Sequence, residues 1–192
     1  VQMHLHHYPD LFRASSPARQ FCFAVRYYSY VLQKPGPSQE NMESREMHDA
    51  VIVSTARTPI GKAYRGAFND TQAQALAAHA ITHAVGRAGI ASDEIGDVVL
   101  GAALQQGSTH MNVARQAAIR AGLPTSVPGM TVDRQCSSGL MALSIISGQI
   151  RHGEIATGVA GGVESISLVQ TPKMNIDRLV DPWIEAQRPD IY

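Results

Sequence analysis

The sequence has few of the features that mark secreted, membrane-spanning or nucleic-acid-binding proteins. Cysteine occurs only at Cys22 and Cys136, in segments of different character, so no disulfide framework is supported and a reducing compartment is expected. The 16 basic and 16 acidic residues cancel, which leaves no charge excess for nucleic acid or an anionic membrane surface. No apolar run reaches the ~20 residues that span a bilayer. We therefore expect neither a nucleic-acid partner nor a membrane.

The first 47 residues form a leader whose composition differs from the rest. Before Glu40 it contains four basic residues and a single acid, Asp10, and Pro35 and Pro37 interrupt regular structure. An organelle transit peptide has this composition, but translated upstream or vector sequence ahead of Met42 or Met47 explains it equally well. The leader's histidines, at 4, 6 and 7, lack partners with metal-ligand spacing. We expect residues 1–47 to be poorly ordered and exclude them from the fold.

From residue 48 to about 170, apolar runs alternate with amphipathic helical patterns. Strands are expected near 50–54, 97–102, 127–132 and 154–160. The first helix follows a capping-box pattern at Thr71 and Gln74 and stops at Gly89, and two more are expected near 112–121 and 140–150. Such alternation predicts an α/β domain with a largely parallel or mixed sheet covered by helices. Residues 171–192 are polar and interrupted by proline, and we interpret them as the start of a further domain.

Cys136 stands where a predicted strand ends and a predicted helix begins. The free N–H groups and dipole of a helix N-terminus favour negative charge, so a thiol placed there ionises more readily than a free cysteine. That geometry suits a nucleophile. A small buried cysteine at a tight turn, with Ser137 and Ser138 capping the helix, fits the spacing too. A redox-sensitive thiol is a third interpretation, although no resolving cysteine lies nearby.

Two other patterns have simpler explanations than a ligand site. His79 and His83 are one turn apart on the first helix, but without a third ligand they indicate a polar helix face and no metal. The glycines at 158, 161 and 162 lack the spacing of a dinucleotide-binding loop, so they indicate close backbone packing after a buried strand. The sequence therefore predicts no metal and no resident cofactor.

Five motifs, in order and at consistent spacing, resemble the N-terminal half of a thiolase. They are Arg57-Thr-Pro-Ile-Gly61, Gly101 with Gln105 to Gly107, Asn112-Val-Ala-Arg-Gln-Ala117, Val132-Asp-Arg-Gln-Cys-Ser-Ser-Gly-Leu140, and Gly161-Gly-Val-Glu-Ser165. The motif around the cysteine is most similar to that of the 3-ketoacyl-CoA thiolases of fatty-acid degradation. The resemblance covers about residues 49–192 and favours the nucleophile interpretation of Cys136.

The resemblance implies a thiolase-like fold and an acyl-transfer reaction. Its N-terminal domain, residues 48–170 here, has a mixed five-stranded sheet between helices, which this chain would leave incomplete, and residues 171–192 would begin the inserted loop domain. Cys136 would attack a 3-ketoacyl-CoA and hold the acyl group as a thioester, with its backbone N–H as an oxyanion donor. Acyl-CoA and coenzyme A are then substrates, and no cofactor is needed. A homodimer or tetramer is expected for the full-length form, in the cytoplasm, or in mitochondria or peroxisomes if the leader is a targeting segment.

The sequence also departs from the thiolase pattern. The family's activating histidine, second acid/base cysteine and asparagine-water oxyanion site come from its second half, and their motifs do not occur here. His110 and His152 match no family catalytic position. The alternative is therefore a catalytically incompetent fragment, from a truncated product or a gene-model artefact, with at most a role in dimerisation.

Overall fold

The structure is a computed structural model that describes residues 29–33 and 48–191. Within those ranges it has five strands, five α-helices and two short 3-10 helices, at Ser92–Glu94 and Gly107–Thr109. The strands are β1 (Ser29–Gln33), β2 (Val51–Ala56), β3 (Asp97–Gly101), β4 (Gly129–Val132) and β5 (Thr157–Gly162). The helices are α1 (Ala73–Ala88), α2 (Val113–Arg120), α3 (Ser138–Arg151), α4 (Ile166–Val169) and α5 (Pro182–Gln187).

The strands form one sheet in the order β2-β1-β5-β3-β4. β3 lies between β5 and β4 and is parallel to both, whereas β1 pairs with β2 and β5 in the antiparallel sense. The parallel part follows from the strand-helix-strand connections, because a helix must carry the chain back before the next strand can begin. The predicted class, an α/β fold with a mixed five-stranded sheet between helices, is confirmed. The expectation that this chain leaves the sheet incomplete is corrected, because β1 supplies a fifth strand.

Each face of the sheet buries its own apolar cluster. Along β3, Val98 and Leu100 contribute to the cluster under α1 and α2, while Val99 between them contributes to the cluster under α3. This alternation follows from the two-residue period of a strand. Strands buried on both faces are apolar at nearly every position, which is why β3 appears in the sequence as a continuous apolar run.

β1 comes from the leader and occupies the interior of the sheet. Val31 and Leu32 are 0% and 2% exposed, and they join the clusters on opposite faces of the sheet. This finding corrects the expectation that the leader takes no part in the fold, at least for residues 29–33. The rest of the leader, including the histidines at 4, 6 and 7 and the transit-like arginines, lies outside the described residues.

α1 shows the predicted apolar face but begins differently from the prediction. Its N-cap is Gln72, which makes no side-chain capping bond, and the Gln74 side chain donates to Gln116 Oε1 at 2.8 Å. Ser108 Oγ accepts from the Ala73 N–H at 3.4 Å. A capping box was predicted from Thr71 and Gln74, but a tertiary contact supplies the acceptor. Gly89 ends the helix as predicted, with φ of 66°.

The segment after α4 is tied to the body by a side chain. Gln106 accepts from the Asn175 N–H at 3.0 Å and donates to the Asn175 carbonyl at 3.3 Å, as a neighbouring strand would. α5 begins at a cap formed by Asp181, whose Oδ1 accepts from Trp183 N–H and Ile184 N–H. That residues 171–192 start a further domain stays a prediction. Among the described helices, none combines the length and the apolar character that crossing a membrane requires.

Candidate functional site

Cys136 lies in the turn that joins β4 to α3, as predicted. The helix begins at Ser138 with Ser137 as its N-cap, so the cysteine directly precedes the N-terminal end of a 14-residue helix. Cys136 is exposed, which contradicts the interpretation of a small buried cysteine. An exposed thiol at this end of a helix is accessible to a substrate and stands where negative charge is favoured.

The turn is held by the two residues that flank it. Asp133 Oδ1 accepts from the Gln135 N–H at 2.7 Å, and Ser138 Oγ accepts from the Arg134 N–H at 2.8 Å. Gln135 adopts a left-handed conformation with φ of 49°, which is uncommon for a residue with a side chain. The N–H groups of Ser137 and Ser138 bond to the carbonyls of Arg134 and Gln135. The Cys136 N–H takes part in none of these bonds.

Glycines let the first turn of α3 lie directly on the sheet. A Cβ atom on Gly101, at the end of β3, would stand 2.2 Å from the carbonyl carbon of Ser138. One on Gly162, at the end of β5, would stand 3.3 Å from the Gly139 Cα. These contacts fix the start of α3, and hence Cys136, against the carboxyl ends of two parallel strands, which is where open α/β sheets commonly bind ligands.

A buried carboxyl group lies at the same edge of the sheet. Glu164 is 6% exposed, and its Oε2 accepts from the Ala103 N–H at 2.7 Å. Its Oε1 is buried and has no hydrogen-bond partner of normal geometry among the described residues. Burial raises the pKa of Glu164 above the ordinary 4.5, the charge of Asp133 raises it further, and nearby backbone N–H groups partly oppose the shift.

His152 lies too far from Cys136 to form a catalytic pair with it. His152 caps the C-terminal end of α3, and a 14-residue helix places that end about 20 Å from the cysteine at the usual rise per residue. His79 and His83 are exposed on α1 with ring centroids 4.4 Å apart. In the part of the chain that the structure describes, no three His, Cys, Asp or Glu side chains are grouped as a metal site would require.

Sequence reasoning assigned no role to Glu164, although it lies within one of the five motifs. A signal was available, since Glu164 follows a strand of small, mostly apolar residues by two positions, where an acidic side chain is buried only at a cost in free energy. The glycines of that motif were correctly interpreted as close backbone packing. Their packing partner, the first turn of α3, became evident only in three dimensions.

Comparison with known proteins identifies the family. The family description "Thiolase, N-terminal domain" matches residues 50–181. The chain belongs to the thiolase family. The match begins after β1, so β2 to β5 lie within the matched thiolase domain and β1 lies before it.

Several thiolases are similar to this chain over much of its length. A 3-ketoacyl-CoA thiolase of Bacillus subtilis is 41% identical over 146 residues, which are 76% of this chain and 37% of the relative. An acetyl-CoA acetyltransferase of Cupriavidus necator is 44% identical over 154 residues, 76% of this chain and 39% of the relative. A peroxisomal 3-ketoacyl-CoA thiolase of Arabidopsis thaliana is 44% identical over 124 residues, 65% of this chain and 27% of the relative.

A solved structure shows the same fold. The crystal structure of the Bacillus anthracis acetyl-CoA acetyltransferase superposes with a TM-score of 0.63 at 37% identity, covering 72% of this chain and 34% of that one. The thiolase chain described here therefore spans well under half the length of the relatives that it matches.

Proposed function

We propose that this chain supplies the acyl-accepting nucleophile of a 3-ketoacyl-CoA thiolase and that the nucleophile is Cys136. The observation that carries the proposal is the exposed cysteine in the turn before α3, within a chain of the thiolase family. A thiolate is a strong nucleophile near neutral pH, and its thioester remains reactive enough to pass the acyl group on.

In the proposed reaction, the Cys136 thiolate adds to the keto carbon of a 3-ketoacyl-CoA. The bond between the α-carbon and the keto carbon then breaks, the electron pair goes to the departing acetyl-CoA enolate, and a proton donor converts that enolate to acetyl-CoA. The shortened acyl group stays on Sγ until the thiolate of coenzyme A displaces it. The reverse sequence is a Claisen condensation. Coenzyme A enters and leaves as a substrate, so the proposed reaction needs no resident cofactor.

The backbone N–H of Cys136 is the proposed oxyanion donor of this chain. The other N–H groups from Arg134 to Ser138 bond within the turn, which leaves the Cys136 N–H available to the thioester oxygen. Donors fixed in advance stabilise the charge that develops in the transition state. The groups that activate the thiol and protonate the enolate belong, in this proposal, to the remainder of a full-length thiolase.

The test is acyl capture by the chain. After incubation with acetoacetyl-CoA, a peptide digest should show an acetyl group on Cys136, which hydroxylamine removes, and a Cys136→Ser variant should lack the labile adduct. Steady-state thiolysis should be negligible, because removing the base that activates a nucleophile typically costs several orders of magnitude. Full activity of a Cys136→Ala variant of the full-length form would contradict the proposed role.

The alternative is a catalytically incompetent chain with at most a role in dimerisation. It is favoured by the position of His152 at the far end of α3, since no base there can reach the thiol. No acyl adduct on Cys136 at any substrate concentration, together with stable self-association, would favour this alternative. A dimer or tetramer is proposed for the full-length form, and a peroxisomal location is compatible with the names of some relatives.

A further inference from the structure

Glu164 is connected to the Cys136 turn through the ends of three adjacent strands. It follows β5 and accepts from the Ala103 N–H just after β3, at 2.7 Å. The preceding N–H, that of Ala102, bonds to the carbonyl of Val132 at the end of β4 at 3.0 Å. Asp133 directly follows Val132 and holds the turn. These hydrogen bonds therefore connect Glu164 with the turn that carries Cys136.

Asp133 transmits this connection to the nucleophile. Its Oδ1 accepts from the Gln135 N–H at 2.7 Å and lies 3.5 Å from Ser138 Oγ, one contact on each side of Cys136. The negative charge of Asp133 adds to burial in raising the pKa of Glu164. A change at Glu164 therefore acts on the turn through the backbone of Ala102 and Ala103.

Glu164 is a buried acid beside the turn that carries Cys136. Burying a carboxyl group costs free energy, and Glu164 is 6% exposed. Such costs are commonly accepted near functional sites.

We propose that Glu164 is a positioning residue for Cys136, holding the turn through Ala103 and Asp133 so that the thiol and its N–H face the acyl group. This inference rests on the proposed role of Cys136. Glu164 does not touch the substrate. Its side-chain oxygen accepts the hydrogen bond from the Ala103 N–H at the strand ends. The amide oxygen of a glutamine can accept the same bond.

The experiment measures the rate at which iodoacetamide alkylates Cys136 at neutral pH in the 192-residue chain. Trypsin cleaves after Arg134 and Arg151, so the Cys136 peptide is separate from that of Cys22, which serves as a reference within each sample. We expect Glu164→Ala to slow the Cys136 reaction at least fivefold and Glu164→Gln to stay within twofold of the unmodified chain. Glu154→Ala, which changes an exposed glutamate, should leave the rate unchanged.

Two further variants keep the result decisive. If Glu164→Ala does not fold, as judged by circular dichroism, Glu164→Asp replaces it, because a shorter carboxylate cannot reach the Ala103 N–H in the same way and should also slow alkylation. In this inference Glu164 acts on Cys136 through Asp133. The double variant Glu164→Ala with Asp133→Ala should therefore be alkylated at Cys136 no more slowly than Asp133→Ala alone.

The outcomes separate this inference from the proposed function. If the unmodified chain forms no acyl adduct on Cys136 with acetoacetyl-CoA, the proposed nucleophile itself is refuted, whatever the Glu164 variants do. If the folded chain reacts fast and Glu164→Ala or Glu164→Asp reacts equally fast, only the positioning role of Glu164 is overturned. Slow alkylation of the Glu164→Gln variant would also overturn the positioning role, because glutamine keeps an oxygen that can accept from the Ala103 N–H.

Discussion

Gly101 and Ser138 approach so closely that a single methyl group would not fit between them. A Cβ on Gly101 would lie 2.2 Å from the Ser138 carbonyl carbon, a backbone atom that cannot rotate away. The turn that carries Cys136 therefore packs against the end of β3, and its position depends on the absence of a side chain at Gly101.

Gly101→Ala should accordingly destabilise the fold and displace Cys136. We expect a loss of about 1–3 kcal/mol, the usual cost of overpacking, measured as the change in the urea unfolding midpoint. The control is Gly148→Ala in the last turn of α3, where a Cβ meets nothing within 4 Å. That change should instead stabilise the helix by roughly 0.5–1 kcal/mol. Equal effects of the two substitutions would show that α3 is not seated on β3 as described.

The raised pKa of Glu164 predicts how stability depends on pH. Because the folded chain binds this proton more tightly than the unfolded chain, the stabilising contribution is complete below the ordinary pKa of 4.5 and is lost as pH rises through the folded-state pKa. Other groups add their own dependence, so the informative quantity is the difference between variants. Relative to Glu164→Gln, the unmodified chain should become progressively less stable from about pH 4.5 toward neutrality, as followed by urea unfolding. A pH-independent difference would contradict the assignment.

Two leucines, one buried in β1 and one exposed on α3, provide a matched test of whether β1 packs in the sheet. Leu32 in β1 is 2% exposed, whereas Leu140 in α3 is 70% exposed. Leu32→Ala should cost about 2–5 kcal/mol, as for other buried leucines, and Leu140→Ala should change stability by less than about 0.5 kcal/mol. Thermal unfolding of both variants provides the comparison. Similar small losses would mean that β1 does not occupy the sheet in solution.

β2 presents an apolar edge that predicts self-association. Val51, Ile52 and Val53 are 43%, 50% and 43% exposed, and among the described strands β2 pairs only with β1. Exposed apolar edge strands promote pairing between chains. Ile52→Lys should lower the light scattering that develops on concentrating the chain. Ser144→Lys adds the same charge at an exposed position on α3 and should have a much smaller effect; equal effects would attribute the change to net charge alone.

The parts of the fold that local pattern determines could be predicted from the sequence. Apolar runs and glycine stops located β2 to β5 and α1 to α3, because burial and helix termination depend on residues near in sequence. Cys136 was placed correctly at the junction of β4 and α3 for the same reason. Its exposure was not determined by pattern, since it depends on how the helix lies against the strand ends.

The parts that were missed depend on contacts distant in sequence. β1 is embedded in a leader of atypical composition, and only its pairing with β2 and β5 makes it a strand. The start of α1 likewise takes its acceptor from Ser108 in place of the local capping box. The position of Glu164 beside Asp133 required the order of three strands, which a linear reading does not give.

The pairing of β1 with β5 also imposes an order on synthesis. Ser29 is matched with Gly161, so β1 lacks its partner β5 until the roughly 130 residues between them have been made, on the order of 10 s at usual elongation rates. During that interval β2 is the strand with which β1 can pair, and the edge of β1 that later pairs with β5 has no partner strand. A nascent chain of this kind offers an unpaired strand edge to chaperones or to other nascent chains until β5 has been made.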